Sequence, residues 1–238
     1  MAFTHSPKIV QDGLVLYFDV ANSRSYISGS IPAITNSLVG SITGSLYNDV
    51  SGSIAENPSS WIFDGVDDSI DTVKIYGATG QSLYHLSIWF TRTSGINSNY
   101  TSGDRYLLGW GGSGTLTGIA FGEFTSGADD ETILLYQNVQ GNNTLTYIKD
   151  IADSNFHNLT INWNGSQYDM YLDGTSRTTY SGSLGHLAQF DLNHIYLGRS
   201  NNSSYHHTGK ISSIQLYNKS LSTQEIQQNY NALKNRFQ

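Results

Sequence analysis

The chain has 238 residues, 38% hydrophobic and 13% charged, with a net charge of −7 and no cysteine. The acidic balance and the lack of any basic run exclude capture of nucleic-acid phosphates, and the missing cysteine excludes disulfides and thiolate-bound zinc. No stretch approaches the roughly 18–20 apolar residues of a membrane span, and the segment from Met1 to Lys8 lacks the apolar core of a signal peptide.

With 24 glycines and 16 tyrosines, the composition suits many short strands joined by polar turns. No linker interrupts it, so one β domain over residues 9–238 is expected behind an extended arm at 1–8. Leu14-Val-Leu-Tyr-Phe18 is a continuous apolar run, the mark of a strand buried on both faces. Residues 27–57 read as loops with short strands. Trp61 to Ile70 reads as a strand followed by an acidic turn, and Leu86, Ile88 and Phe90 then alternate with His85, Ser87 and Trp89. After a polar loop from Gly95 to Gly103, short strands are expected near Tyr106–Trp110, Ile119–Phe124, Ile133–Tyr136 and Leu145–Ile148.

The clearest pattern begins at Phe156. Leu159, Ile161 and Trp163 point one way and Asn158, Thr160 and Asn162 the other. Beyond Asn164-Gly165, Tyr168, Met170 and Leu172 repeat the alternation against Asp169, Tyr171 and Asp173, and Asp173-Gly174 closes it. Period-two alternation split by such turns predicts a hairpin whose apolar face a second sheet must cover. A turn at Ser181–His186 and strands near Ile195–Leu197 and Ile211–Tyr217 follow. Ser222-Thr-Gln-Glu225 is a capping box, and Ile226, Tyr230, Leu233 and Phe237 then share one face of a helix. That face is expected to dock on the sheets or on a neighbouring subunit.

The hairpin, with its Phe156-His157 pair, its strand ending in Trp163 and its Tyr171-Leu-Asp-Gly174, resembles the central hairpin of laminin-G-like domains of the concanavalin A-like lectin/glucanase superfamily. Trp61-Ile-Phe-Asp-Gly-Val-Asp-Asp-Ser-Ile70, Ile195-Tyr-Leu-Gly-Arg199, Gly209 to Asn218 and Leu221 to Ile226 resemble flanking strands and the C-terminal helix of the same domains. The resemblance covers roughly residues 10–237 and implies an all-β, concanavalin A-like jelly-roll sandwich of two antiparallel sheets with a short C-terminal helix. Gly13-Leu-Val-Leu-Tyr-Phe-Asp19 to Tyr26 resembles the opening of laminin-G-like modules in tailed-bacteriophage virion proteins, though 27–57 departs from that subgroup. The superfamily hosts lectins, hydrolases and structural modules, so activity must be argued from sites.

Trp110 to Gly118 is glycine-rich but lacks a Gly-Lys-Ser/Thr ending and opens no helix, so it reads as a turn, not a phosphate cradle. Glycan hydrolysis needs two carboxylates flanking the scissile bond. The four glutamates (Glu56, Glu123, Glu131 and Glu225) head no such motif, and no enzyme is expected. No cofactor is expected either. Asp64, Asp67 and Asp68 offer oxygen ligands of the kind calcium takes, and Asp-Gly and Asp-Asp are equally ordinary turn chemistry. His206 and His207 would diverge on a strand and read as an exposed loop, while His157 reads as a structural hydrogen-bonder.

Sugar binding needs aromatic faces beside polar hydrogen-bonders. Tyr100, Arg105, Trp110, Tyr136 and Tyr205 are the candidates, on loops or strand ends. The expectation is a non-enzymatic virion component of a tailed phage, a capsid decoration or tail-associated subunit. It would be made in the host cytoplasm, attach to other virion proteins and form a symmetric homo-oligomer. A carbohydrate-binding adhesin is the alternative, and a glycoside hydrolase comes last.

Overall fold

Alternating apolar residues cannot be buried by one sheet alone, and this chain answers with two sheets and one helix. The computed structural model describes residues 7–27, 34–48, 50–53, 58–73, 84–92, 105–110, 117–121, 133–139, 142–143, 147–148, 153–181, 194–200 and 206–237. For several strand residues, among them Arg105, Tyr136 and 178–181, the backbone alone is described. The first strands are β1 (Leu14–Asp19), β2 (Ile34–Asn36), β3 (Thr43–Tyr47), β4 (Ser51–Ser53), β5 (Ser60–Asp64) and β6 (Ser69–Thr72). Next come β7 (Tyr84–Arg92), β8 (Arg105–Trp110), β9 (Thr117–Phe121), β10 (Ile133–Val139), β11 (Asn142–Asn143) and β12 (Tyr147–Ile148). The last are β13 (His157–Trp163), β14 (Gln167–Leu172), β15 (Thr175–Ser181), β16 (Ile195–Leu197) and β17 (Thr208–Tyr217), followed by helix α1 (Thr223–Leu233).

The first sheet runs β15-β14-β13-β7-β17-β5-β4, with β1 also paired to β17; the second runs β11-β10-β9-β8-β16-β6-β3-β2, with β12 on β10. Every pairing among the described residues is antiparallel, from β13 on β7 to β16 on β8. This is the expected jelly-roll sandwich with a short C-terminal helix. Its core is filled from both inner faces by residues such as Phe18, Trp61, Ile88, Leu108, Ile161 and Leu197. Each such side chain contributes roughly 1.5–3 kcal/mol on leaving water.

The predicted hairpin is present in register, with Leu159 opposite Leu172 and Trp163 opposite Tyr168. Asp173 (φ 53) and Gly174 (φ 71) form its second turn, a two-residue reversal with both φ positive. That turn leads into β15, a polar strand whose sequence shows no clear alternation. The stretch from Trp61 to Ile70 holds the expected strand and acidic turn, and a second strand starts within it at Ser69. It breaks at Gly65 (φ 84) into β5 and β6, which enter opposite sheets.

The larger departure concerns the polar face of the first sheet, expected to form the exterior. Asn158, Thr160 and Asn162 are buried, as are His85, Ser87, Ser213 and Gln215 on neighbouring strands. The cover is α1 with the segment around Ile9 and Val10. Ser222 caps α1, its hydroxyl accepting from Glu225 N while Glu225 accepts from Ser222 N, so the predicted capping box is formed. Tyr230 and Phe237 stack on Trp89 at 5.7 and 4.2 Å between ring centroids, and Phe156 lies against Phe237. Polar groups fix the docking. The Asn162 side chain accepts from Leu221 N at 2.8 Å and donates to Leu221 O at 3.1 Å. Asn229 accepts from Val10 N and donates to the Tyr217 hydroxyl, which donates in turn to Val10 O. Arg236 makes a two-pronged pair with Asp19 at 2.8 and 3.0 Å.

Truncating Asn162 strands a buried N–H and C=O of Leu221. Asn162→Ala should lower unfolding free energy in urea by about 2–3 kcal/mol, and amide exchange over α1 should accelerate more than over β7.

Candidate functional site

With one outer face closed by α1, the accessible polar positions of the second sheet lie on β3, β6 and β16, at Ser45, Asp71 and Tyr196, while β8 beside them is buried from Tyr106 to Trp110. In β16, Ile195 and Leu197 are fully buried in the core, so Tyr196 between them must project outward, and it is only partly buried. Gly198 (φ 79) then turns the chain, and a Cβ there would collide with the Phe63 ring. The turn brings Arg199 back over Tyr196, its guanidinium carbon 4.2 Å from the ring centroid. Arg199 Nε and Nη2 donate to the two carboxylate oxygens of Asp71 at 3.1 and 2.7 Å, and Nη1 donates to Ser200 O at 3.0 Å. Asp71 lies on β6 directly opposite Tyr196. Burial, with Asp71 beside it and Arg199 opposing, raises the Tyr196 phenol above its ordinary pKa, so the ring stays neutral at physiological pH.

Register extends this into a row across the sheet. Ser45 pairs with Asp71, Asp71 with Tyr196, Tyr196 with Gly109, Gly109 with Gly118 and Gly118 with Tyr136. Paired residues share a face, so positions 196 and 136 stand on one face with two glycines between them. Three strand spacings separate them, about 14 Å.

Of the sequence-predicted residues, Tyr136 therefore holds a position in this row, and Arg105 starts β8 opposite Phe121. Trp110 is corrected: it faces inward in the main core at 2% exposure and has no open ring face for a sugar. Tyr100 and Tyr205 lie outside the described residues, as do Glu56, Glu123 and Glu131. Tyr196, Arg199 and Asp71 form a set that lies outside the sequence-predicted residues. The available signal was Ile-Tyr-Leu followed by Gly-Arg, in which alternation alone turns the tyrosine away from the core.

At the rim, Asp64, Asp67 and Asp68 bring one carboxylate oxygen each within 4.8 Å of one another. Asp64 accepts from Val66 N and Asp68 from Asp64 N, so the turn itself uses these oxygens. His206 and His207 diverge as expected, but the exposed-loop reading fails for His207, which is fully buried with Nε2 3.1 Å from Thr91 O. His157 is the structural hydrogen-bonder expected, with Nδ1 2.7 Å from Asp173 and Nε2 2.9 Å from Asp153. Glu225 serves the capping box and Lys219.

A family model described as the concanavalin A-like lectin/glucanases superfamily, of laminin-G type, matches residues 64–227. The chain belongs to that superfamily. Among solved structures it is similar to Trypanosoma rangeli sialidase in complex with sialic acid, at 14% identity and TM-score 0.64, over 98% of this chain and 36% of that one. It is also similar to the binding domain of botulinum neurotoxin DC, solved with SialylT (12% identity, TM-score 0.64) and with rat synaptotagmin II (11%, 0.66). Each of those covers 93% of this chain and 52% of the other. The laminin-G-like module thus spans about a third to a half of these structures, and at such identities the likeness is one of fold. No curated protein matches it in sequence. No described helix is long and apolar enough to cross a membrane.

Two histidines give the module opposed pH responses. Burial lowers His85 to about 4, outweighing its bond to Asn162. The unfolded chain takes up this proton first, so stability is full above about pH 6.5 and falls towards pH 4, by about 3 kcal/mol. His157 is raised, chiefly by its bond to Asp173 against the cost of burial, so its contribution is present at low pH and is lost as pH rises through its folded value. Urea midpoints should therefore drop between pH 6.5 and 4 in the wild type, and His85→Phe should flatten that slope.

Proposed function

We propose that this chain is a non-catalytic glycan-binding module that holds its ligand across the outer face of the second sheet, against Tyr196. The observation that carries the reading is the tyrosine itself: partly accessible, backed by a guanidinium and set beside the partly accessible Asp71 carboxylate. A sugar ring presents weakly positive C–H groups on its faces and hydroxyls at its edge. An aromatic ring supplies a surface for the first, and the Asp71 carboxylate accepts from the second. Similar folds solved with sialic acid and with SialylT support the ligand class.

Binding rather than hydrolysis is the reading because the described carboxylate of this face, Asp71, is held in a two-pronged ion pair. A general acid must present a proton to the leaving group, and both oxygens of Asp71 already accept from Arg199. No metal is needed for this mode of binding.

A second reading places the module in a tailed-phage virion, as a decoration or tail-associated homo-oligomer bound to other virion proteins. The observation favouring it is the opening from Gly13 to Tyr26, and the two readings are compatible. Mass spectrometry of purified particles tests it, and absence of the chain from them ends it.

A panel of immobilised glycans probed with purified protein tests the first reading. Binding to at least one oligosaccharide is expected, with no release of reducing ends. Failure to bind any glycan at millimolar concentration would overturn it.

A further inference from the structure

We infer that the sugar accepted at Tyr196 is an uncharged pyranose, and that Arg199 is a positioning residue for the tyrosine, not a receptor for an acidic sugar. The inference rests on the glycan-binding reading above and narrows it against the sialylated ligands seen with similar folds.

The argument begins with the donors of Arg199. Nε and Nη2 are directed at Asp71 and Nη1 at the Ser200 carbonyl. The Arg199 side chain is only 10% exposed and that of Asp71 23%. A guanidinium so engaged offers an incoming carboxylate neither net charge nor a free two-pronged edge. Capturing a sialic acid would require breaking the pair and leaving Asp71 uncompensated beside the ligand's own negative charge. A chain of net charge −7 adds long-range repulsion.

What the pair does supply is rigidity. The planar guanidinium lies 4.2 Å from the centroid of Tyr196 and is itself fixed by Asp71 from the neighbouring strand. A tyrosine held this way loses little side-chain entropy when a ligand lands on it. The partly accessible Asp71 carboxylate keeps acceptor lone pairs beyond its two bonds from Arg199, which suits the hydroxyls of a neutral sugar.

The test compares neutral oligosaccharides (glucan, galactan and mannan fragments) with sialyllactose and polysialic acid. It uses wild type, Tyr196→Ala, Tyr196→Phe, Arg199→Lys and Asp71→Asn, with a thermal melt to confirm that each variant folds. Wild type should bind a neutral oligosaccharide with affinity insensitive to added salt. Tyr196→Ala should lose about tenfold or more, Tyr196→Phe, which keeps the ring face, should lose less than Tyr196→Ala, and Arg199→Lys should weaken binding through a poorer-held ring. Asp71→Asn, which removes the negative charge paired with the guanidinium, should gain affinity for sialylated ligands, a response that a merely structural ion pair would not give. Salt-sensitive preference of the wild type for sialylated glycans would overturn this inference and leave the glycan reading standing. Neutral-sugar binding untouched by Tyr196→Ala in a folded variant would also overturn it, and no binding to any glycan would overturn both.

Discussion

The side-chain amide of Asn162 pairs with both backbone groups of Leu221, and much of the molecule depends on that contact. It sits on the polar side of the central strand, where alternation would ordinarily place a solvated surface. Here that side is interior, because the chain returns after β17 and lays α1 across it. His85 reinforces the clamp: the amide oxygen of Asn162 can only accept, so Nδ1 of His85 carries the proton. Trp89, stacked by Tyr230 and Phe237, supplies the apolar part of the same interface. The helix thus acts as a third layer, held by a few directional bonds and an aromatic stack.

That layer decides which surface remains for binding. Asp19–Arg236 and the ring of bonds joining Val10, Tyr217 and Asn229 tie both ends of the described chain to the first sheet. The second sheet has no helix of this kind among the described residues, and its outer row from Ser45 to Tyr196 is partly accessible. The same chemistry serves two purposes. Arginine and aspartate pair at 19 and 236 to hold the C-terminal end, and at 71 and 199 to steady a tyrosine. The histidines divide in a similar way: burial pulls His85 down and favours its neutral form, whereas the bond to Asp173, with Asp153 beside it, raises His157 and favours its charged form.

The hairpin, the inner-face residues and the capping box were legible because each rests on a local rule, period-two alternation or a capped helix start. The burial of Asn158, Thr160 and Asn162 was not legible, because polar residues read as exterior until something distant covers them. The helix that does so lies some sixty residues later, and only the apolar stripe of Ile226, Tyr230 and Leu233 hinted at a docking face. The candidate site was readable in part. Tyr136 stands in register with the row, whereas Trp110, an aromatic of the same kind in sequence, points inward. The β-bulge in β8 between Tyr106 and Leu108 shifts the alternation there, a feature composition does not announce. Tyr196, Arg199 and Asp71 come together only through Gly198 and the pairing of β6 with β16, a long-range contact.

A crystal structure of the protein with a bound oligosaccharide tests the central claim most directly. The account predicts a sugar ring lying against Tyr196 on the outer face of the second sheet, with a hydroxyl on Asp71 and with α1 still seated on Asn162. A sugar found on the first sheet in place of a displaced α1, or held at the acidic turn of Asp64 to Asp68 away from Tyr196, would contradict it.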